Sequence, residues 1–313
     1  MSHTRKVAII GSGYVGASIA YALMLRELAD DIVLIDVNAE HAQGEAEDIV
    51  HGISYMGVCK VRQGQYEDCE NCDIIIITAG KNRKPGQKRL DLAEVNAKIM
   101  QDVINNLKPY YTDSVVLVVA NPVDILTYKA VKYLGCEPSK VIGTGCILDT
   151  SRLVCQLADY VGLSINNVHA MVVGEHGDKQ IALWSRVSVA NSPIEEYCEM
   201  SNIPWNESVR DEIMQRVRGM GADIIAKKER THYGIATCVC YLVDAIMNDH
   251  KIVAPVCSIL QKEFAGIADV AISVPTVVGR GGVIRQLFQE WNHSEILKFQ
   301  DSGQHLAETL KKL

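Results

Sequence analysis

No run of apolar residues in this sequence reaches the roughly 18 that a membrane span requires. The richest, DIIIITAG and SVVLVVANPVD, have the length of buried strands. A secretory leader is not evident either. The opening MSHTRKVAIIGSG passes from a short polar stretch straight into a strand and a glycine turn, with no apolar leader core and no small-residue cleavage site. A cytoplasmic location is therefore expected. Positive charge is not in surplus: 31 Lys and Arg stand against 38 Asp and Glu, for a net charge of −7. That balance excludes the broad basic surface of a general nucleic-acid binder. Repeats, low-complexity tracts and long linkers are missing. The ten cysteines sit mostly among apolar neighbours and read as free, buried thiols. CENC at 69–72 has the spacing of a redox or metal pair but lacks a second ligand pair, so no metal site is expected.

What is present organises into two halves. Apolar strands are read at 6–11, 31–36, 72–80, 114–121 and 140–145, separated by helical stretches at 14–28, 38–53, 90–107 and 124–134. Strands this apolar, alternating with helices, predict a parallel sheet covered on both faces. The second half changes character. Helices are expected near 149–161, 207–228, 233–247 and 294–311, with short alternating segments such as VHAMVVGEHG, ALWSRVSVA and VAISVPTVVG between them. The expected fold class is α/β, with a doubly wound domain over 1–143 and a mixed α+β domain over 144–313.

GSGYVG places Gly11, Gly13 and Gly16 in the G-x-G-x-x-G pattern, directly after an apolar strand and directly before a helix. Twenty residues past Gly16, Asp36 closes the next strand. That context is the Rossmann dinucleotide fingerprint, with the pyrophosphate at the helix N-terminus and the acid on the ribose hydroxyls. Asp36 would repel a 2′-phosphate, and Val37 and Asn38 bring no cation to compensate, so NAD is preferred over NADP.

Two further segments carry chemistry. VVGEHGDK sets His176 after an apolar strand, and GCILDTSRL sets Asp149 and Arg152 at i and i+3 on one helix face. A buried carboxylate beside His176 would orient the imidazole and favour its protonated form. Arg152 offers a planar fork matched to a carboxylate. In AGKNRKPGQKRLDL, the cations Lys81, Arg83, Lys84, Lys88 and Arg89 crowd a Gly- and Pro-punctuated loop suited to a small anion.

With GSGYVG, ITAGKNRKPGQKRLDL, VANPVDI, VIGTGCILDTSRL, GEHGD and RTHYGIA, the chain resembles the L-lactate/L-malate dehydrogenases along nearly its whole length. The resemblance implies hydride transfer between a 2-hydroxy acid and NAD. It implies His176 as proton carrier, Asp149 as its partner, Arg152 as the clamp on the substrate carboxylate and Arg89, on a closing lid, as the polariser of the reacting C–O bond. Asn121 would bond near both substrate and nicotinamide. The implied cofactor site also takes in Tyr14, Val15, Ala79, Gly80, Asn96 and Val119. A homotetramer or homodimer is implied, with a small 2-hydroxy or 2-keto acid as the only other partner.

Substrate choice turns on Arg83. The lactate enzymes usually carry glutamine there and the malate enzymes arginine, which can pair with a second carboxylate. With pyruvate, that arginine would be left unpaired under a closed lid, at a cost of about a few kcal/mol. The first expectation is therefore (S)-malate and oxaloacetate, with (S)-lactate and pyruvate as the alternative. Thr231 pulls toward lactate because it narrows the pocket; it can also serve as N-cap of the following helix. His169 matches a sugar-bisphosphate-binding histidine of some bacterial lactate enzymes, but Val154 stands where the partner arginine belongs, so activation by fructose 1,6-bisphosphate should be weak or absent. A silent NAD-binding protein would lack one of these site residues, and an NAD-dependent glycosidase would need a metal held by Cys and His.

Overall fold

The structure, a computed structural model, describes residues 4–55, 57, 59–82 and 89–313, with Arg89 described by its backbone alone. In chain order the first half runs β1 (Lys6–Ile10), α1 (Tyr14–Leu25), β2 (Asp31–Ile35), α2 (Ala39–His51), β3 (Lys60–Gln63), β4 (Ile74–Ile77), α3 (Arg89–Leu107), β5 (Val115–Val118), α4 (Val123–Leu134) and β6 (Val141–Gly143). The second half runs α5 (Ile147–Val161), β7 (Val168–His169), β8 (Val172–Gly174), β9 (Gln180–Ala182), β10 (Ser188–Val189), β11 (Ser192–Pro193), α6 (Ile194–Met200), α7 (Glu207–Lys228), α8 (Tyr233–Met247), β12 (Ile252–Ile259), β13 (Ala271–Gly279), β14 (Gly282–Gln286) and α9 (His293–Lys312).

The main sheet has the order β3-β2-β1-β4-β5-β6-β12-β13-β8-β9, with β14 beside β13. Its first six strands are parallel. The chain starts at β1, steps outward to β3, then returns to the other side of β1 at β4. The crevice between β1 and β4 is therefore the topological switch point, where such sheets bind ligands. β4 shows why the layer holds: all four of its isoleucines are fully buried, Ile74 and Ile76 in the cluster beneath α1, α2 and α8, Ile75 and Ile77 in the one beneath α3 and α4. Each such side chain contributes about 1.5–3 kcal/mol by leaving water.

Several strands escape the sequence reading, β3 and β12 among them. β3 is KVRQ, an edge strand with only Val61 buried, too short and polar to register as apolar periodicity. The segment read as the third strand is thus the fourth. β12 carries Pro255, which argues against a central strand. Pro255 lies opposite Pro275 on β13, so the missing donors fall on one rung, and its carbonyl accepts from Cys146 N at 3.2 Å. β12 also pairs with β6 through Cys257 and Gly143, which makes the sheet continuous across the two halves of the chain.

Candidate active site

The β1–α1 turn is shaped by what its glycines leave out. Gly11 has φ +105°, and a Cβ there would meet Thr78 Oγ1 at 2.6 Å and Ala79 N at 2.7 Å. Thr78 Oγ1 donates to Gly11 O at 2.7 Å, tying the turn to the end of β4. A Cβ on Gly16 would lie 1.9 Å from Gly11 O, so only glycine lets α1 pack this tightly on the turn. Gly13 is the N-cap of α1. No side chain caps the helix, no acid occupies its first turn, and a Cβ on Gly13 would meet no atom within 4 Å. Donors of a helix N-terminus thus open onto free space, the arrangement that receives a diphosphate.

The flanking residues frame that cradle. Asp36 follows β2; its Oδ2 accepts from Ser12 N at 2.7 Å and its Oδ1 from Asn38 N at 3.0 Å. It braces the glycine turn while standing where a ribose would lie, and the next residue, Val37, is fully exposed. Val15 packs against the core and Tyr14 is exposed. Ala79 is half-buried, Gly80 exposed and Val119 buried. Asn96 is brought here, but its amide is spent: Oδ1 accepts from Lys81 N at 2.8 Å, and Nδ2 donates to Lys81 O at 3.0 Å and Asn121 O at 2.6 Å. It clamps the walls of the cradle and offers a ligand no free donor. Asn121 is exposed at the end of β5, its Oδ1 accepting weakly from Val123 N at 3.3 Å.

The second group assembles from α5 and the end of β8. Asp149 is 2% exposed. Its Oδ2 lies 2.6 Å from His176 Nδ1, and its Oδ1 accepts from Arg152 Nη1 at 3.2 Å. Burial works to raise the Asp149 carboxyl, but the charges of His176 and Arg152 and the bonds they donate outweigh it, so it stays below the ordinary carboxylate range. Burial likewise disfavours the His176 cation, yet the Asp149 charge and hydrogen bond prevail and hold its pKa above the ordinary 6.5. With Nδ1 committed to Asp149, Nε2 is the nitrogen left to exchange a proton with a ligand.

Two supports of this group are invisible in the sequence. Asp124 on α4 is 3% exposed and accepts from His176 N at 2.8 Å. Burial pushes its carboxyl up to about 6. Gln180, with its amide NH2 turned toward Asp149, donates to both carboxylate oxygens at 3.2 and 3.3 Å. Gly174, at φ +89°, sets the turn that delivers His176; a Cβ there would lie 2.9 Å from Ile181 Cδ1 and Ser302 Oγ.

Thr231 is half-buried and lies before α8, whose N-cap is His232, without a side-chain cap bond. The N-cap expectation for Thr231 is thus corrected by one residue: the helix begins later than a threonine cap requires. Arg83, Lys84, Lys88 and the Arg89 side chain lie outside the described residues. His169 is exposed on β7, and Val154 packs against the apolar cluster of the second half. Cys69 and Cys72 are buried, and burial pushes each thiol up to about 12, so neither is poised as a thiolate.

Residues 5–143 match the lactate/malate dehydrogenase NAD binding domain, and residues 146–313 match the lactate/malate dehydrogenase alpha/beta C-terminal domain. The chain belongs to the lactate/malate dehydrogenase family. It is 40% identical to L-lactate dehydrogenase of Acetivibrio thermocellus over 99% of its own length and 97% of that protein. It is 39% identical to L-lactate dehydrogenase 1 of Clostridium acetobutylicum, over the full length of both. The ligand-bound minor L-lactate dehydrogenase from Enterococcus mundtii superposes with a TM-score of 0.95 at 37% identity, over 99% of this chain and 98% of that one. The protein is thus an NAD-dependent oxidoreductase of this family, and the β1–α1 cradle, with open helix donors and an acid at the ribose position, fits NAD.

Proposed function

We propose that this dehydrogenase interconverts (S)-lactate and pyruvate. The observation that carries the reading is the end-to-end similarity to proteins named L-lactate dehydrogenase at 37–40% identity. This reverses the order expected from Arg83 alone, which put malate first. NADH, when bound, supplies the hydride. Protonated His176 gives its proton from Nε2 to the keto oxygen, and Asp149 holds the imidazole in place and stabilises its charge. Arg152 grips the substrate carboxylate, Arg89 polarises the keto group from the lid, and Asn121 bonds beside it. Both cations favour the negative charge that develops on the oxygen.

Arg83 supports a second reading, (S)-malate and oxaloacetate, through a pair with the distal carboxylate. Initial rates of NADH oxidation with pyruvate and with oxaloacetate separate the two. The lactate reading expects kcat/KM for pyruvate to be higher by about tenfold or more, and Arg83→Gln to widen the gap. A higher value for oxaloacetate in the unaltered enzyme would overturn it.

We also infer a homodimer or homotetramer in the cytoplasm. Tyr21 and Leu25 on α1, Tyr241 on α8, and Ile224 and Ile225 on α7 leave apolar area exposed, the kind of surface a second copy covers. Sedimentation as a monomer would contradict this.

A further inference from the structure

α7 ends with Lys228, and Glu229 closes it in the left-handed region at φ +68°. Within the next three residues the chain delivers Arg230 and His232 to the start of α8. Two cations here, Arg230 and Lys228, are held on aromatic rings. The Arg230 guanidinium lies 3.8 Å from the centroid of Tyr14, and Lys228 Nζ lies 4.1 Å from that of Tyr233. The His232 ring stands 4.0 Å from Tyr233 and 5.9 Å from Tyr14. Tyr14 is the first residue of α1, immediately after Gly13, so the cluster borders the open helix N-terminus of the cofactor cradle.

Charge in this patch is unbalanced. Glu229 pairs with Arg230 at 3.1 Å, but its side chain is 84% exposed and such a pair is weak in water. His232 is 8% exposed, and its Nδ1 is buried with no hydrogen-bond partner among the described residues. A guanidinium parked on a ring face, beside a second cation and an unsatisfied imidazole, is an arrangement ready for an anion. The α1 N-terminus that it borders is where a dinucleotide presents its diphosphate.

We propose that Arg230, whose guanidinium stacks on the Tyr14 ring beside the α1 N-terminus, is a diphosphate ligand of the bound dinucleotide, with Lys228 adding longer-range attraction. This rests on NAD occupying the Gly11–Gly16 turn. It adds a cofactor contact from the second half of the chain, from the segment that leads into Thr231.

Equilibrium binding read by NADH fluorescence, with ADP-ribose and adenosine as displacing ligands, tests it. Arg230→Gln should raise the Kd for NADH and for ADP-ribose about tenfold at low salt, leave that for adenosine within twofold, and lose most of its effect at high salt. Arg230→Lys should recover part of the loss. The proposal fails if Arg230→Gln leaves NADH binding within twofold, or if adenosine weakens as much as ADP-ribose. Absence of NADH binding in the unaltered protein would instead remove the cofactor reading on which it rests. Since Arg230 is partly exposed, thermal unfolding of both variants should match the parent.

Discussion

His176→Asn is expected to lower kcat for pyruvate reduction by about 10³-fold, with the Kd for NADH unchanged within twofold. The two effects separate because the geometry separates them. The proposed NAD site is the β1–α1 turn and the end of β2, whereas His176 stands after β8, anchored by Asp149 on α5 and Asp124 on α4. Asparagine is small enough for the site and cannot deliver a proton. Asp149 keeps Arg152 and Gln180 as partners, so removal of the imidazole does not leave it buried and unpaired. Stopped-flow turnover with parallel fluorescence titration measures both quantities. Normal turnover in the variant would refute His176 as the proton carrier.

Arg152→Lys is expected to lower kcat/KM for pyruvate by about 10³-fold, although the charge is kept. The guanidinium spends one nitrogen on Asp149, and its side chain is only 14% exposed. Its remaining donors form a rigid fork for a carboxylate. A lysine ammonium in the same half-dry space cannot serve Asp149 and a two-oxygen anion with the same geometry. Pyruvamide, which lacks the carboxylate, should be almost equally poor for both enzymes. A lysine variant within about fivefold of the parent would show that the fork is not what grips the substrate.

The cofactor cradle was legible because it is local. Strand, glycine turn, helix and acid all fall between Lys6 and Asp36, and the backbone demands of Gly11 and Gly16 follow from that connection alone. The pairing of His176 with Asp149, implied by the family resemblance, is a contact of 2.6 Å in the structure. The rest depends on contacts that periodicity does not encode. Asp124 reaches the His176 backbone across 52 positions, and nothing in VANPVDI distinguishes it from a solvated helix acid. Gln180 acts only through the pairing of β8 with β9. The clamping role of Asn96 emerges only once Lys81 and Asn121 are brought to it. β3 and β12 escaped because an edge strand needs little apolar surface and a proline is tolerated where its opposite is also proline.

The central claim is that Asp149 keeps His176 protonated long enough to act as the acid in reduction. Its most direct test is kcat/KM for pyruvate across about pH 5.5 to 9.5, in the parent and in Asp149→Asn. The His176 pKa is raised above 6.5, so the protonated form persists past that value and is lost as pH rises through the raised pKa. The parent profile should therefore fall on the alkaline side with a midpoint above 6.5, and Asp149→Asn, which removes the charge that raises it, should move that midpoint down. A flat profile, or two profiles with the same midpoint, would contradict the account.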